Sequence, residues 1–265
     1  MSYQPHLADT GFLLFNVLQA PAQLQGLPQL TEADQPLMEQ VLDEAGKFVA
    51  EVVAPLTRVG DEVGCSWHAG AVTTPPGFRD AYQAFVQAGW PALACAEEDG
   101  GQGLPWVLEG VLYEWLNAAN HGWTMTPGLL HGAYECLKHH GSDALKAAYL
   151  PHIASGEWLA TMCLTEPQAG SDLGLVRTQA VPVEASLDHH ISGTKIFISG
   201  GEHDLTDNIL HLVLARLPGA APGPKGLSLF LVPKLLPDGT RNTVVCERIE
   251  EKMGLHGSPT CVMRF

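Results

Sequence analysis

The sequence predicts an α+β protein: an N-terminal all-α helical domain followed by a β-barrel-like or β-sandwich middle domain. Three observations carry this. Up to about residue 156 the apolar residues recur at three- and four-residue steps. Beyond it they fall in short β-rich runs punctuated by Gly, Pro and Asp. No helical pattern separates those runs and no G-x-G-x-x-G follows any of them, which argues against a doubly wound nucleotide fold.

Residues 1–30, with "GFLLFNVL" and "APAQLQGLPQ", form an appended arm expected to pack on the helices. The helical domain spans 31–156. Its first helix runs from Thr31 to Val53 on Leu37, Val41, Ala45, Phe48, Val49 and Val52, with Thr31 and Asp34 as cap and Pro55 as stop. Phe78, Ala81, Tyr82, Phe85 and Val86 mark a second helix, and Val107, Leu108, Val111, Leu112, Trp115 and Leu116 a third. "PGLLHGAYECLKHHG" gives a fourth ending at Gly141, and Ser142 caps a fifth through "DALKAAYL". These stripes read as packing between helices. The β-domain, 157–265, holds "WLATMCL", "NILHLVLA", "GLSLFLVP" and "NTVVCERI" as strands, and "RLPGAAPGPKG" as a hairpin or loop. Both alternating sets of "GLSLFLVP" are apolar except Ser228, so that strand is expected to be well buried. "CVMRF" lies within a strand, and the domain reads as incomplete at its C-terminal end.

Composition narrows the function. With 46% hydrophobic and 16% charged residues the 265-residue chain is globular. No apolar run reaches the ~20 residues that span a bilayer. The start, "MSYQPHLADTG", has no basic region or cleavage pattern, so a cytoplasmic location is expected, with no membrane partner. A net charge of −15 without a basic patch disfavours nucleic acid, yet leaves room for a small anion bound by backbone N–H groups. The six cysteines lack C-x-x-C spacing and read as reduced, mostly buried thiols. His139–His140 and His189–His190 point apart on helix or strand, so no metal site is assigned.

The chemistry concentrates in "CLTEPQAGSDLG", Cys163 to Gly174, where an apolar run ends in hydroxyls, glycine and two carboxylates. Pro167 fixes the exit direction, Gly170 permits close backbone approach, and the Ser171 hydroxyl with its neighbour's N–H can grip an oxyanion. Taken alone, such a turn can equally satisfy its own backbone. A second strand, "ISGTKIFISGGEHD", also ends in hydroxyl and glycine.

Together, Met162 through Ser171 and Phe197-Ile198-Ser199 resemble the two flavin-binding segments of the acyl-CoA dehydrogenase family. The resemblance extends to "GSDALKAAYLPHIASGEW", "GLSLFLVP" and "EEKMGLHGSPTCVMRF", nearly the whole chain. The longer arm, "TTPPGF" and "ISGGEHDLTDNILHLVLARLP" most resemble the branch containing 3-methylthiopropionyl-CoA dehydrogenase. The resemblance implies FAD bound between the β-domain and a C-terminal four-helix domain that lies outside these residues. Its cofactor-binding residues would be Met162, Cys163, Leu164, Thr165, Gly170, Ser171, Phe197, Ile198 and Ser199. Main chain near Leu164 and the Thr165 side chain would meet the pyrimidine end of the flavin, and Ser199 would hydrogen-bond at N5. Phe197 stands where the family often has Trp and would cover one ring face. Ser171 would meet the CoA portion of the substrate or the cofactor phosphates, while Glu166 and Asp172 brace the turn. The implied reaction is α,β-desaturation of an acyl-CoA thioester, with an electron-transfer flavoprotein or similar acceptor and a homo-oligomeric full-length protein. The base would be a Glu of the C-terminal domain, so these residues are expected to lack turnover alone. An oxidase of the same superfamily, and a non-catalytic scaffold on this fold, are the competing readings.

Overall fold

A computed structural model describes residues 3–27, 30 and 33–265. The arm is a string of short turns, α1 (Leu7–Gly11), a π-turn over Phe12–Val17 and α2 (Ala20–Leu24). Leu14 is buried and Leu7 covers Gly46, whereas Phe12, Leu13, Val17 and Leu18 stay exposed. Helix α3 (Gln35–Phe48) starts on Asp34, whose carboxylate accepts from the Leu37 N–H at 2.9 Å. Thr31 lies outside the described residues. Pro55 does not stop this segment. The chain passes through a π-turn (Val49–Val53) and a 3₁₀ turn (Ala54–Leu56) into α4 (Thr57–Val63), with Pro55 in a first turn where its missing N–H has no partner to lose.

A hairpin absent from the sequence reading follows, β1 (Ser66–His68) and β2 (Ala71–Thr73), turning on Ala69 and Gly70, both at positive φ. Then come α5 (Phe78–Gln87), α6 (Trp106–Thr124), α7 (Leu130–His140) and α8 (Asp143–Ala154). Helix α6 kinks at Asn120 (φ −155°, ψ 82°), and the Thr57 hydroxyl caps the freed Ala119 carbonyl at 2.6 Å. Gly141 closes α7 with extended φ; a Cβ there would meet the Leu137 carbonyl at 2.7 Å, so space demands the glycine. The Ser142 hydroxyl caps α8, which runs past the expected "DALKAAYL" to Ala154. Apolar faces of these helices enclose a core of Phe48, Tyr82, Phe85, Trp115 and Trp123, where Phe85 meets Trp123 edge-on at 5.6 Å between centroids.

The second half is two sheets face to face. The larger carries β3 (Leu159–Cys163), β7 (Ile209–Arg216), β4 (Gln179–Pro182) and β5 (His189–Ser192) in that order, with β8 (Leu227–Pro233) also paired to β7. The smaller runs β6 (Thr194–Ser199), β10 (Thr260–Arg264), β9 (Val245–Ile249). Strands β3 and β7 are parallel, with Leu159 opposite Ile209, and strands rather than a helix make the crossover. Cys163, Ile198, Val213, Val232, Cys246, Cys261 and Met263 fill the space between the sheets. Strand β8 departs from expectation. Its ladder is to β7 alone among the described residues, so it is an edge strand; Leu229 is 46% exposed and only Val232 and Pro233 are buried.

Candidate functional site

The end of β3 and the middle of β6 are brought together. The Ile196 N–H donates to the Thr165 carbonyl at 2.8 Å, and the Lys195 ammonium donates to the Leu164 carbonyl at 3.0 Å. Thr165, Leu164 and Ser199 lie half-buried at this junction, and Met162 and Phe197 project outward, 56% and 60% exposed. Cys163 and Ile198 face the inter-sheet core, so only their main chain can serve a ligand.

Phe197 owes its orientation to a bulge. Cys261 pairs with Ile198 and Met263 with Lys195, so Val262 faces two residues of β6, Ile196 and Phe197. Phe197 takes up the extra length at φ +59°, a left-handed conformation costing a bulky residue about 1–2 kcal/mol. Beyond Ser199 the chain turns on Gly200 (φ +63°), whose N–H donates to the Pro259 carbonyl at 2.9 Å. A Cβ on Gly201 would sit 2.8 Å from the Met263 sulfur, so β6 and β10 approach closely there.

The turn after β3 is braced from inside. Glu166 and Ala169 exchange two backbone hydrogen bonds around Pro167 and Gln168. The Glu166 carboxylate is 4% exposed and accepts from Lys195 Nζ (2.8 Å), Thr178 Oγ1 (2.5 Å) and N–H (3.0 Å), Arg177 N–H (2.8 Å) and Gln168 Nε2 (2.6 Å). Burial alone would raise this carboxyl, but the Lys195 ammonium, the Thr178 hydroxyl and the two N–H groups outweigh it and hold it at about 2. Burial pushes the Lys195 ammonium below its usual range, with Glu166 opposing. Both groups are thereby committed to structure. Lys195 was not singled out from the sequence; its one signal is a lone cation in the apolar run "TKIFIS". Asp172 accepts from the Gly174 N–H at 2.9 Å and caps the short turn Leu173–Leu175.

The exposed rim keeps unspent donors. Among the described residues, the hydroxyls of Thr165, Ser171 and Ser199 have no hydrogen-bond partner within the chain. Gly170 has ordinary φ and open space where a Cβ would stand, so nothing inside the chain requires a glycine there. Among the described residues no cluster of His, Cys, Asp or Glu could hold a metal ion, and no helix is long and apolar enough to cross a membrane.

Comparison with known proteins adds a second line of observation. Residues 36–157 match the family model for the acyl-CoA dehydrogenase N-terminal domain, and 161–265 that for the acyl-CoA dehydrogenase middle domain. The 3-methylmercaptopropionyl-CoA dehydrogenase of Ruegeria pomeroyi is 44% identical across 100% of this chain, which covers 46% of that protein. A broad-specificity linear acyl-CoA dehydrogenase of Mycobacterium tuberculosis is 37% identical over 99% of this chain and 44% of its own length. The structure of an acyl-CoA dehydrogenase complexed with FAD from Bacillus anthracis superposes with a TM-score of 0.69 at 24% identity, covering 89% of this chain and 36% of that one. The chain thus spans about half the length of the curated relatives it matches.

Proposed function

The chain belongs to the acyl-CoA dehydrogenase family through its N-terminal and middle domains, and from that premise we propose that it builds one wall of an FAD site in an enzyme that desaturates acyl-CoA thioesters between Cα and Cβ. The observation that carries the reading is the junction of β3 and β6. Beside it, two apolar side chains are exposed and two half-buried hydroxyls are unspent, around a backbone strained at Phe197.

These residues fit a flavin. Phe197 and Met162 offer apolar surface for a planar ring. The Thr165 carbonyl accepts from Ile196, and its hydroxyl, with no partner among the described residues, can serve the pyrimidine edge. Ser199 would donate toward N5, and a donor there stabilises the electron-rich reduced ring. Cys163, Leu164 and Ile198 contribute main chain. Gly170 leaves room for the cofactor or the CoA moiety to approach, and Ser171 can hydrogen-bond a phosphate of either. Bound FAD supplies the acceptor for the β-hydrogen; what the chain's own residues do is bind the ring, exclude water from one face and hold a donor at its reducible edge. The α-proton needs a separate base, and Glu166 is disqualified because five donors saturate it and hold it ionised.

The proposed segmentation is an arm to residue 30, a helical unit over 31–156 and a β unit from 157. The Ruegeria relative makes a methylthio-substituted propionyl thioester the first substrate to assay, ahead of straight-chain acyl-CoA. We further propose an electron-transfer flavoprotein or similar carrier as acceptor, a homo-oligomeric whole protein and a cytoplasmic location. The test is to express the whole gene product, reconstitute it with FAD and follow acyl-CoA-dependent reduction of an electron-accepting dye. Flavin uptake with substrate-dependent reduction is expected. A protein that takes up no flavin and reduces no dye overturns the proposal.

A further inference from the structure

Helix α4 ends at Val63, and the following Gly64 (φ +67°) turns the chain so that its N–H reaches the Gly60 carbonyl. The neighbouring Asp61 carbonyl, one of the orphan acceptors every helix C-terminus leaves, is met by a residue 195 positions away. His256, in the connection between β9 and β10, has Nδ1 2.9 Å from the Asp61 carbonyl and Nε2 2.7 Å from the Lys252 carbonyl. The His256 carbonyl in turn accepts from the Cys65 N–H at 2.8 Å, so the two segments cap each other.

Carbonyl oxygens only accept. A neutral imidazole has one N–H and can satisfy one of these contacts; satisfying both takes the doubly protonated ring. The charged groups acting on the ring are Asp61 on α4, with a carboxylate oxygen 3.4 Å from Nδ1, and Lys252 on its own loop, whose ammonium is turned to the Ser258 carbonyl at 2.8 Å. The C-terminal end of α4 also favours a cation.

The clasped loop leads directly to the candidate site. Leu255 sits at φ +57°, and a Cβ on Gly257 would meet the Phe78 ring at 2.8 Å, so the loop is pressed between helices in a strained conformation. Pro259 then accepts from Gly200, and Thr260 pairs with Ser199. We infer that His256, carrying both ring protons, clasps the β9–β10 connection to the end of α4 and through Pro259 and Thr260 acts as a positioning residue for Ser199. The bearing on Ser199 rests on the flavin reading given above; the clasp does not.

The two parts separate experimentally. In the whole protein with ¹³C-labelled histidine, NMR follows each ring with pH, and His256→Gln, which keeps one donor and no titration, identifies the signal. The ring of His256 is expected to titrate above the ordinary value of about 6.5; titration at or below it overturns the clasp. A pKa raised in the folded state gives stabilisation that is full below the unfolded value and lost as pH rises through the folded one. The gap in thermal midpoint between wild type and His256→Gln is therefore expected to shrink from pH 6 to pH 9, and His256→Arg, charged throughout, should hold its midpoint relative to wild type at pH 9. FAD affinity of the wild type should fall several-fold over the same range and that of His256→Gln stay flat. Equal pH dependence in both overturns the positioning role even when the ring titrates high. Failure of the wild type to bind FAD at any pH defeats the flavin reading instead, and the ring titration still decides the clasp.

Discussion

Replacing Lys195 by Met isolates what the buried brace contributes. The side chain is fully buried, and its ammonium contacts two oxygens, the Leu164 carbonyl at 3.0 Å and Glu166 Oε1 at 2.8 Å. Met fills similar volume, so cavity formation is minor and the change is electrostatic. Removing one partner of a buried ion pair costs about 3–5 kcal/mol. Four other donors stay on the Glu166 carboxylate, which puts Lys195→Met at the lower end, about 3 kcal/mol. For a chain of this size that corresponds to a thermal midpoint lowered by about 6–12 °C, measurable by circular dichroism at pH 7. Adding Glu166→Gln should restore part of the loss, because a neutral amide no longer needs a cation although its NH2 group then faces one backbone N–H, of Arg177 or Thr178. The reasoning is refuted by a midpoint within about 2 °C of wild type, or by a double variant whose loss equals the sum of the two single ones. Acid provides a check of sign. Glu166 is held at about 2, so its stabilisation exists above the ordinary carboxylate range and disappears as pH falls through that value; the gap between wild type and the double variant should close toward pH 2.

Phe197→Gly relieves the left-handed backbone at the bulge, so thermal stability of the flavin-free protein should hold or rise by up to about 1 kcal/mol while FAD affinity drops. Lower stability with unchanged affinity in a fluorescence titration would contradict that assignment. Gly257→Ala forces a methyl against Phe78 and the Gly60 carbonyl and should cost about 1–3 kcal/mol in urea unfolding; an unchanged midpoint would show that the loop has slack. Asp34→Ala removes the cap of α3 and should cost about 1 kcal/mol, with Asp34→Ser recovering most of it.

The helices of the first half were legible where the apolar stripe is long and regular, as over 78–86 and 107–116, because a period of 3.6 has one good solution. The hairpin at 66–73 was not: three-residue strands are too short for alternation to register, and Ala69-Gly70 lacks the Asn or Asp that flags such a turn. Strand β8 misled for a different reason. Apolar residues on both faces suggest burial on both sides, whereas Leu229 is left uncovered, and what covers a face is a long-range property. At the site, hydroxyls and glycines at strand ends were visible as local chemistry. The Lys195–Glu166 pair was not, since its members lie 29 residues apart and each looks ordinary in its own segment. Nor was the orientation of Phe197, which arises from the register of β6 against β10 rather than from any residue near it.

The central claim is that the rim formed by Thr165, Phe197 and Ser199 faces the isoalloxazine ring. A crystal structure of the whole protein with FAD tests it most directly. The account predicts the ring packed against Phe197, with the hydroxyls of Thr165 and Ser199 within about 3 Å of its polar edge. A ring bound elsewhere, with those hydroxyls facing solvent, would contradict it.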